Sequence, residues 1–151
     1  MIKTMEQWLT GKRLLIILTT AAAVWFSFTA VMTVLRYRLN YASAYDFGIF
    51  SQMYYYMDKG LSPLTTCERD GLLSHFAVHL SPVFYVLLPL YKLVPRPETL
   101  LVLQSLVVIS GMVPLCLLAR TFCFTRLQTL CFGLMYCFYP AFMGGCFYDF
   151  H

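Results

Sequence analysis

"LLIILTTAAAVWFSFTAVMTVL", residues 14–35, is an uncharged and largely apolar run of 22 residues. Two further uncharged runs cover residues 99–119 and 127–148. A helix needs about 20 apolar residues to cross a hydrocarbon core, and a helix keeps its own backbone amides paired in lipid. The three runs therefore predict an all-α, polytopic integral membrane protein with transmembrane helices at these positions.

The composition and charge of the chain agree with this fold class. Hydrophobic residues make up 60% of the sequence and charged residues only 12%, far from the makeup of a soluble domain. We expect residues 1–151 to form a single membrane domain in a lipid bilayer, with the first run as an uncleaved anchor. Lys3, Lys12 and Arg13 precede that anchor and predict a cytoplasmic N-terminus in the cell (plasma) membrane. The net charge of +4 requires no nucleic-acid partner.

The number of spans depends on residues 76–94, which are apolar but contain His79, Pro82, Pro89 and Lys92. Such an interrupted run is more typical of an interfacial helix than of a transmembrane helix. Three spans are therefore preferred, although the distribution of Lys and Arg allows four. With three spans, the loop 36–98 and the C-terminal end share the outer face of the membrane.

The first part of the outer loop, residues 43–59, is predicted to form an amphipathic helix on the membrane surface. Asp46 has two interpretations there. It can close a capping box with Ser43, or it can perform chemistry next to the membrane. The apolar face of this helix is predicted to consist of Phe47, Phe50, Tyr54 and Met57.

Two histidines, His75 and His79, are four residues apart and would share one face of a helix. Asp149 and His151 would join them on the outer face if the chain has three spans. Together these four side chains can bind a phosphate or a divalent metal, although ordinary polar residues at a membrane surface look the same. A disulfide between Cys67 and Cys146 also remains open.

The order of short segments along the chain resembles a known family. After the anchor come "YDFGIFSQ" (45–52), Gly60, "HFAVHLSPVFYVLLPLY" (75–91), "PETLLVLQS" (97–105), "PLCLLAR" (114–120), "YP" (139–140) and "FYDFH" (147–151). This set is similar to an uncharacterised family of prokaryotic membrane proteins, domain of unknown function 2079. That family in turn resembles the type C glycosyltransferases, which use polyprenyl-phosphate-linked sugars. Because its members are usually several times longer, the resemblance implies an N-terminal fragment, completed by further C-terminal helices or by a second subunit.

The resemblance also implies roles for particular residues. Asp46 matches an acidic residue that acts as general base, and His75 or His79 would contact the departing lipid phosphate. Asp149 and His151 would contribute to substrate binding. No cofactor is implied, and a divalent metal is left open. The competing hypothesis is a non-catalytic membrane protein, such as a transporter subunit, a scaffold or a truncated fragment, in which Asp46 only caps a helix.

Overall fold

The computed structural model describes residues 2–42, 45–147 and 150, and it confirms the all-α fold class. A short antiparallel hairpin of β1 (Leu64–Thr65) and β2 (Leu73–Ser74) interrupts the helices. In chain order the helices are α1 (Ile2–Trp8), α2 (Gly11–Arg38), α3 (Asp46–Asp58), α4 (Val83–Leu93), α5 (Pro97–Ser110), α6 (Met112–Thr121), α7 (Arg126–Cys137) and α8 (Pro140–Phe147).

Three helical stretches of the described chain are long and apolar enough to cross a membrane. They are Gly11–Arg38, Pro97–Thr121 and Arg126–Phe147. The first has 28 residues and spans about 42 Å at a rise of 1.5 Å per residue, more than the hydrocarbon core requires. Helix α4 has only 11 residues, which is too short to cross. The prediction of three spans is thus confirmed for the described residues.

The second and third spans are each divided into two helices, whereas the sequence predicts continuous ones. Pro114 has no N–H to donate to the carbonyl of Ser110, and the break between α5 and α6 lies at Gly111. Pro140 likewise cannot continue α7, so α7 ends at Cys137 and Pro140 becomes the first residue of α8. Each interruption therefore follows from a proline inside an apolar run.

The predicted helix over residues 76–94 is also wrong in its extent. The structure has a 3-10 turn at His75–Ala77, then non-helical residues 78–82, and then α4. Pro82 explains the late start, because a proline disfavours helical geometry in the residue before it and favours the beginning of a helix.

The chain forms two compact units, each with its own core. The first unit contains residues 2–31 and 105–147, and the second contains residues 32–104 and 150. In the first unit, the phenol of Tyr136 on α7 donates a 2.6 Å hydrogen bond to the backbone oxygen of Val108 on α5. Cys67 and Cys146, the pair that the sequence leaves open, are both free cysteines. The buried core of the first unit consists of Leu18, Trp25, Ile109, Met112, Cys137 and Cys146.

Helix α7 begins with a double cap, of which only the first half follows a local sequence pattern. Thr125 and Gln128 form a capping box. In addition, the Glu6 carboxylate of α1 accepts hydrogen bonds from the backbone N–H groups of Arg126 (2.8 Å) and Leu127 (3.0 Å). A carboxylate at a helix N-terminus satisfies otherwise unpaired amides and complements the helix dipole. Glu6 therefore fixes α1 to the start of the third span.

Gly111 provides a test of packing in the first unit. A β-carbon at this position would clash with the hydroxyl of Tyr136 and lie 3.0 Å from its Cζ and 3.2 Å from the Val108 oxygen. We expect Gly111→Ala to break the Tyr136 hydrogen bond and to lower the free energy of unfolding by about 1–3 kcal/mol. Denaturant titration in detergent would measure this loss. Gly144→Ala is the matched control, since a β-carbon there meets no atom within 4 Å; an equal loss in both variants would contradict the steric account.

Aromatic and large aliphatic side chains form the core of the second unit. Tyr54 of α3 and Phe84 of α4 are central to it, and the Tyr54 hydroxyl donates a 3.1 Å hydrogen bond to the backbone oxygen of Phe84. Phe150 also lies in this core and is only 2% exposed. The buried residues are Phe47, Phe50, Met53, Tyr54, Met57, Phe84, Tyr91, Leu100, Leu101 and Phe150.

Candidate functional site

Helix α3 positions the candidate site in the second unit. Its predicted apolar face, Phe47, Phe50, Tyr54 and Met57, is buried as a continuous stripe. However, this stripe packs against α4 and its neighbours inside the protein, whereas the sequence predicts that it lies on the membrane surface. The difference arises because α4, α5 and Phe150 supply apolar partners that local sequence cannot reveal.

Asp46 is the first residue of α3. A carboxylate in the first turn of a helix complements the positive end of the helix dipole. The predicted capping box with Ser43 requires Asp46 at the third helical position, but α3 begins at Asp46 with Tyr45 as its N-cap, so this prediction is wrong in register. Ser43 itself lies outside the described residues. The next residue, Phe47, stacks edge-on against Tyr37 of α2 with ring centroids 5.0 Å apart. This contact fixes the beginning of α3 against the end of the first span.

Gln52, one and a half turns further along α3, holds the hairpin strand β1 against the helix. Its side-chain oxygen accepts hydrogen bonds from the Thr65 hydroxyl (3.1 Å) and the Thr66 backbone N–H (2.7 Å). The Cys67 thiol lies 3.7 Å from the same oxygen. Strand β2 runs antiparallel to β1, and Thr65 pairs with Leu73. The chain therefore reverses direction, and the residues after β2 lie near α3.

The hairpin brings His75 next to Glu68. The imidazole Nδ1 lies 3.0 Å from each carboxylate oxygen of Glu68. Both side chains are largely shielded from solvent, with 4% and 12% of their surface exposed. A carboxylate beside Nδ1 orients the ring and favours a proton on that nitrogen, which leaves Nε2 as the atom that can exchange a proton with a ligand.

His79 adjoins His75, as the spacing predicts, although the two residues do not lie on one α-helix. The His79 backbone N–H donates a 2.9 Å hydrogen bond to the His75 carbonyl oxygen, and the two ring centroids are 5.9 Å apart. His75 is buried and His79 is exposed. The pair therefore has one imidazole oriented inside the protein and one accessible from outside.

Phe50 links the beginning of α3 to this pair of histidines. Its ring is 5.4 Å from the ring of His75. Asp46 lies four residues before Phe50 in the same helix, so the two side chains occupy one face, a single turn apart. A carboxylate and an oriented imidazole thus lie on neighbouring parts of the second unit. Such a combination can take up and deliver protons.

The two remaining predicted site residues, Asp149 and His151, lie outside the described residues. Phe150, which separates them in the sequence, is described and contacts the core of the site. Its ring centroid is 5.3 Å from that of Phe50 and 6.4 Å from that of Phe84. Both of those rings also contact His75. The contribution of Asp149 and His151 to the site stays a prediction.

A metal site requires three or more ligating side chains close together. Within residues 2–42, 45–147 and 150, no three His, Cys, Asp or Glu side chains are grouped closely enough to hold a metal ion. The four-residue site with His75, His79, Asp149 and His151 is not tested by this observation, since two of its members are not described.

Two tyrosines of the core have perturbed acidity. Burial raises the pKa of Tyr54, and burial together with the charge of Asp58 raises the pKa of Tyr91. An unfolded chain loses these protons near pH 10, whereas the folded chain retains them. The stabilisation is therefore complete below about pH 10 and is lost as the pH rises through the higher folded-state values.

Sequence reasoning missed Glu68 and Gln52, the two residues that organise the site. Glu68 is seven residues before His75, and its pairing depends on the hairpin that folds the chain back. The turn-forming stretch "CERDG" (67–71) was the available signal, because charged residues and glycine are typical of a turn between two short strands.

The Glu68–His75 pair is itself testable. Glu68→Gln removes the negative charge and one of the two acceptor oxygens that face Nδ1, and we expect it to lower the free energy of unfolding by about 1–3 kcal/mol. Nitrogen NMR of labelled histidine should show a proton on Nδ1 of His75 in the wild type and a mixture of tautomers in the variant. Asp70→Asn, in the same exposed turn, is the control. An unchanged His75 spectrum in Glu68→Gln would contradict the pairing.

Comparison with known proteins places the chain in a family. No curated protein and no solved structure matches it. A family model described as "Predicted membrane protein (DUF2079)" matches residues 35–151, which include α3, the hairpin, both histidines and the second and third spans. The chain therefore belongs to the DUF2079 family of predicted membrane proteins.

Proposed function

We propose that this membrane protein is part of a glycosyltransferase that uses a polyprenyl-phosphate-linked sugar, with Asp46 as the general base. The observation that carries the proposal is the pair of buried His75 and partly buried Glu68, whose imidazole contacts the same face of α3 that begins with Asp46. The resemblance of the ordered segments to relatives of the type C glycosyltransferases supplies the substrate class.

The proposed reaction requires one group that accepts a proton from the acceptor and another that contacts the departing phosphate. Asp46 takes the proton from an acceptor hydroxyl while that oxygen forms a bond to the anomeric carbon. The bond between this carbon and the phosphate oxygen breaks, and the polyprenyl phosphate leaves with the electron pair. Attack opposite the leaving group inverts the anomeric centre. The exposed His79, or His75 as oriented by Glu68, contacts the departing phosphate.

The orientation of the chain is part of the proposal. Lys3, Lys12 and Arg13 support a cytoplasmic N-terminus in the cell membrane, which would place the candidate site outside. Single cysteines at positions 74 and 125, introduced into a variant without the native cysteines, would test this. We expect Ser74→Cys to react with a membrane-impermeant thiol reagent on intact cells and Thr125→Cys to be protected. The opposite labelling pattern would refute the orientation.

The activity itself is tested with purified protein in lipid nanodiscs. The assay supplies polyprenyl-phosphate sugars and measures released polyprenyl phosphate by mass spectrometry. Turnover of at least one donor, with loss of turnover in Asp46→Asn, would support the proposal.

Turnover that is unchanged in Asp46→Asn would refute the role of Asp46 as the general base. Binding of the donors without turnover would favour a non-catalytic membrane protein instead. The Glu68–His75 pair would then be a structural contact between the hairpin and its following turn.

A further inference from the structure

The first unit contains a groove that the proposed reaction does not use. It lies between the beginning of α2, the end of α5 with α6, and the beginning of α7, and its volume is about 710 Å³. This size is within the range of roughly 300–1,000 Å³ that is usual for small-molecule sites. Apolar side chains, including Leu14, Leu18, Ala22, Met112 and Val113, make up most of its lining.

Two arginines give this apolar groove a positive end. Arg120, near the C-terminus of α6, and Arg126, at the N-terminus of α7, both line it. No acidic residue is among the residues that line the groove. Within the described part of the chain, neither arginine forms an ion pair. Among residues 2–42, 45–147 and 150, the Arg126 guanidinium donates a single hydrogen bond, a long one of 3.4 Å, to the Leu9 carbonyl oxygen. The guanidinium groups are therefore available to an anion.

The net positive charge of the chain comes from this unit. Its sequence has five cationic side chains against one acidic side chain, whereas the remaining residues contain six of each. The single carboxylate, Glu6, already accepts the two backbone N–H groups at the start of α7 and does not neutralise the arginines. The cationic side chains are Lys3, Lys12, Arg13, Arg120 and Arg126.

We infer that this groove binds an anionic phospholipid of the surrounding membrane, with an acyl chain along the apolar wall and the phosphate at Arg120 and Arg126. The occupant must be apolar along most of its length and negatively charged at one end, because the groove has the complementary pattern. A zwitterionic lipid would pack against the apolar wall but would not neutralise the two arginines. An apolar helix of another protein chain would likewise pack against the wall and leave both arginines without an anion.

Native mass spectrometry of the full chain in detergent tests this inference. Phosphatidylglycerol and phosphatidylcholine with identical acyl chains are added separately, and the bound fraction is measured against lipid concentration. We expect tighter binding of phosphatidylglycerol, and a loss of about 30-fold in its affinity in the double variant Arg120→Gln/Arg126→Gln, because each cation near an anionic headgroup contributes roughly fivefold. Lys92→Gln/Arg96→Gln, which removes two exposed cations from the second unit, is the charge-matched control and should change nothing.

A second variant tests the apolar wall independently of charge. Val113→Trp places a large side chain in the groove at a position that is 62% exposed, so it should preserve the fold while reducing phosphatidylglycerol binding. Equal binding of the two lipids by the wild type would overturn the inference. Undiminished phosphatidylglycerol binding in the double arginine variant, or a lipid-free dimer as the species that occupies the groove, would also overturn it.

Discussion

Asp46→Asn is expected to reduce sugar transfer by about 10²–10⁴-fold, the usual contribution of a positioned general base. Asparagine has nearly the same shape as aspartate but cannot accept the proton of the acceptor hydroxyl. Because Asp46 begins α3, the substitution also removes a favourable charge from the helix N-terminus, at a cost of about 0.3–1 kcal/mol in stability. That cost is too small to unfold the second unit, so the two effects can be separated.

The measurement compares initial rates of polyprenyl phosphate release for the wild type and the variant at several donor concentrations. A general base affects kcat far more than KM, since it acts in the transition state. Asp58→Asn, at the other end of α3, serves as the control for removing a negative charge from the same helix. An equal loss of activity in both variants would show that helix charge, and not proton transfer by Asp46, is the cause.

Phe150→Ala is expected to lower the free energy of unfolding of the second unit by about 3–5 kcal/mol, the usual cost of removing a buried aromatic ring. Phe150 is 2% exposed, and its ring contacts those of Phe50, Tyr54 and Phe84. Two of these rings also contact His75. Loss of Phe150 should therefore leave a cavity next to the Glu68–His75 pair and loosen the site.

Hydrogen exchange of the α3 amides, followed by mass spectrometry, measures the loss of stability in the helix that Phe150 contacts. Phe138→Ala is the matched control, because the same substitution at a ring that is 75% exposed should change α3 exchange very little. If α3 exchanges at the same rate in Phe150→Ala as in the wild type, Phe150 does not contribute to the core of the second unit.

Local sequence was sufficient for the membrane-spanning framework. Long apolar runs must form helices in lipid because no other open structure pairs their backbone groups, and the three candidate spans contain the predicted runs for all described residues. The breaks inside the second and third spans were not predicted, although Pro114 and Pro140, which each remove one backbone donor, account for them. The apolar stripe of α3 was also predictable from local sequence, because it depends only on helical spacing.

The candidate site depended on contacts between residues that are distant along the chain. The sequence alone determined that this is a helical membrane protein with an acidic residue and two histidines in a long loop. Only the tertiary structure decided that Glu68 pairs with His75, that Gln52 anchors the hairpin, and that Phe150 completes the core. The physical reason is that a period of 3.6 residues specifies which side of a helix is apolar, but nothing in that period specifies which partner covers it.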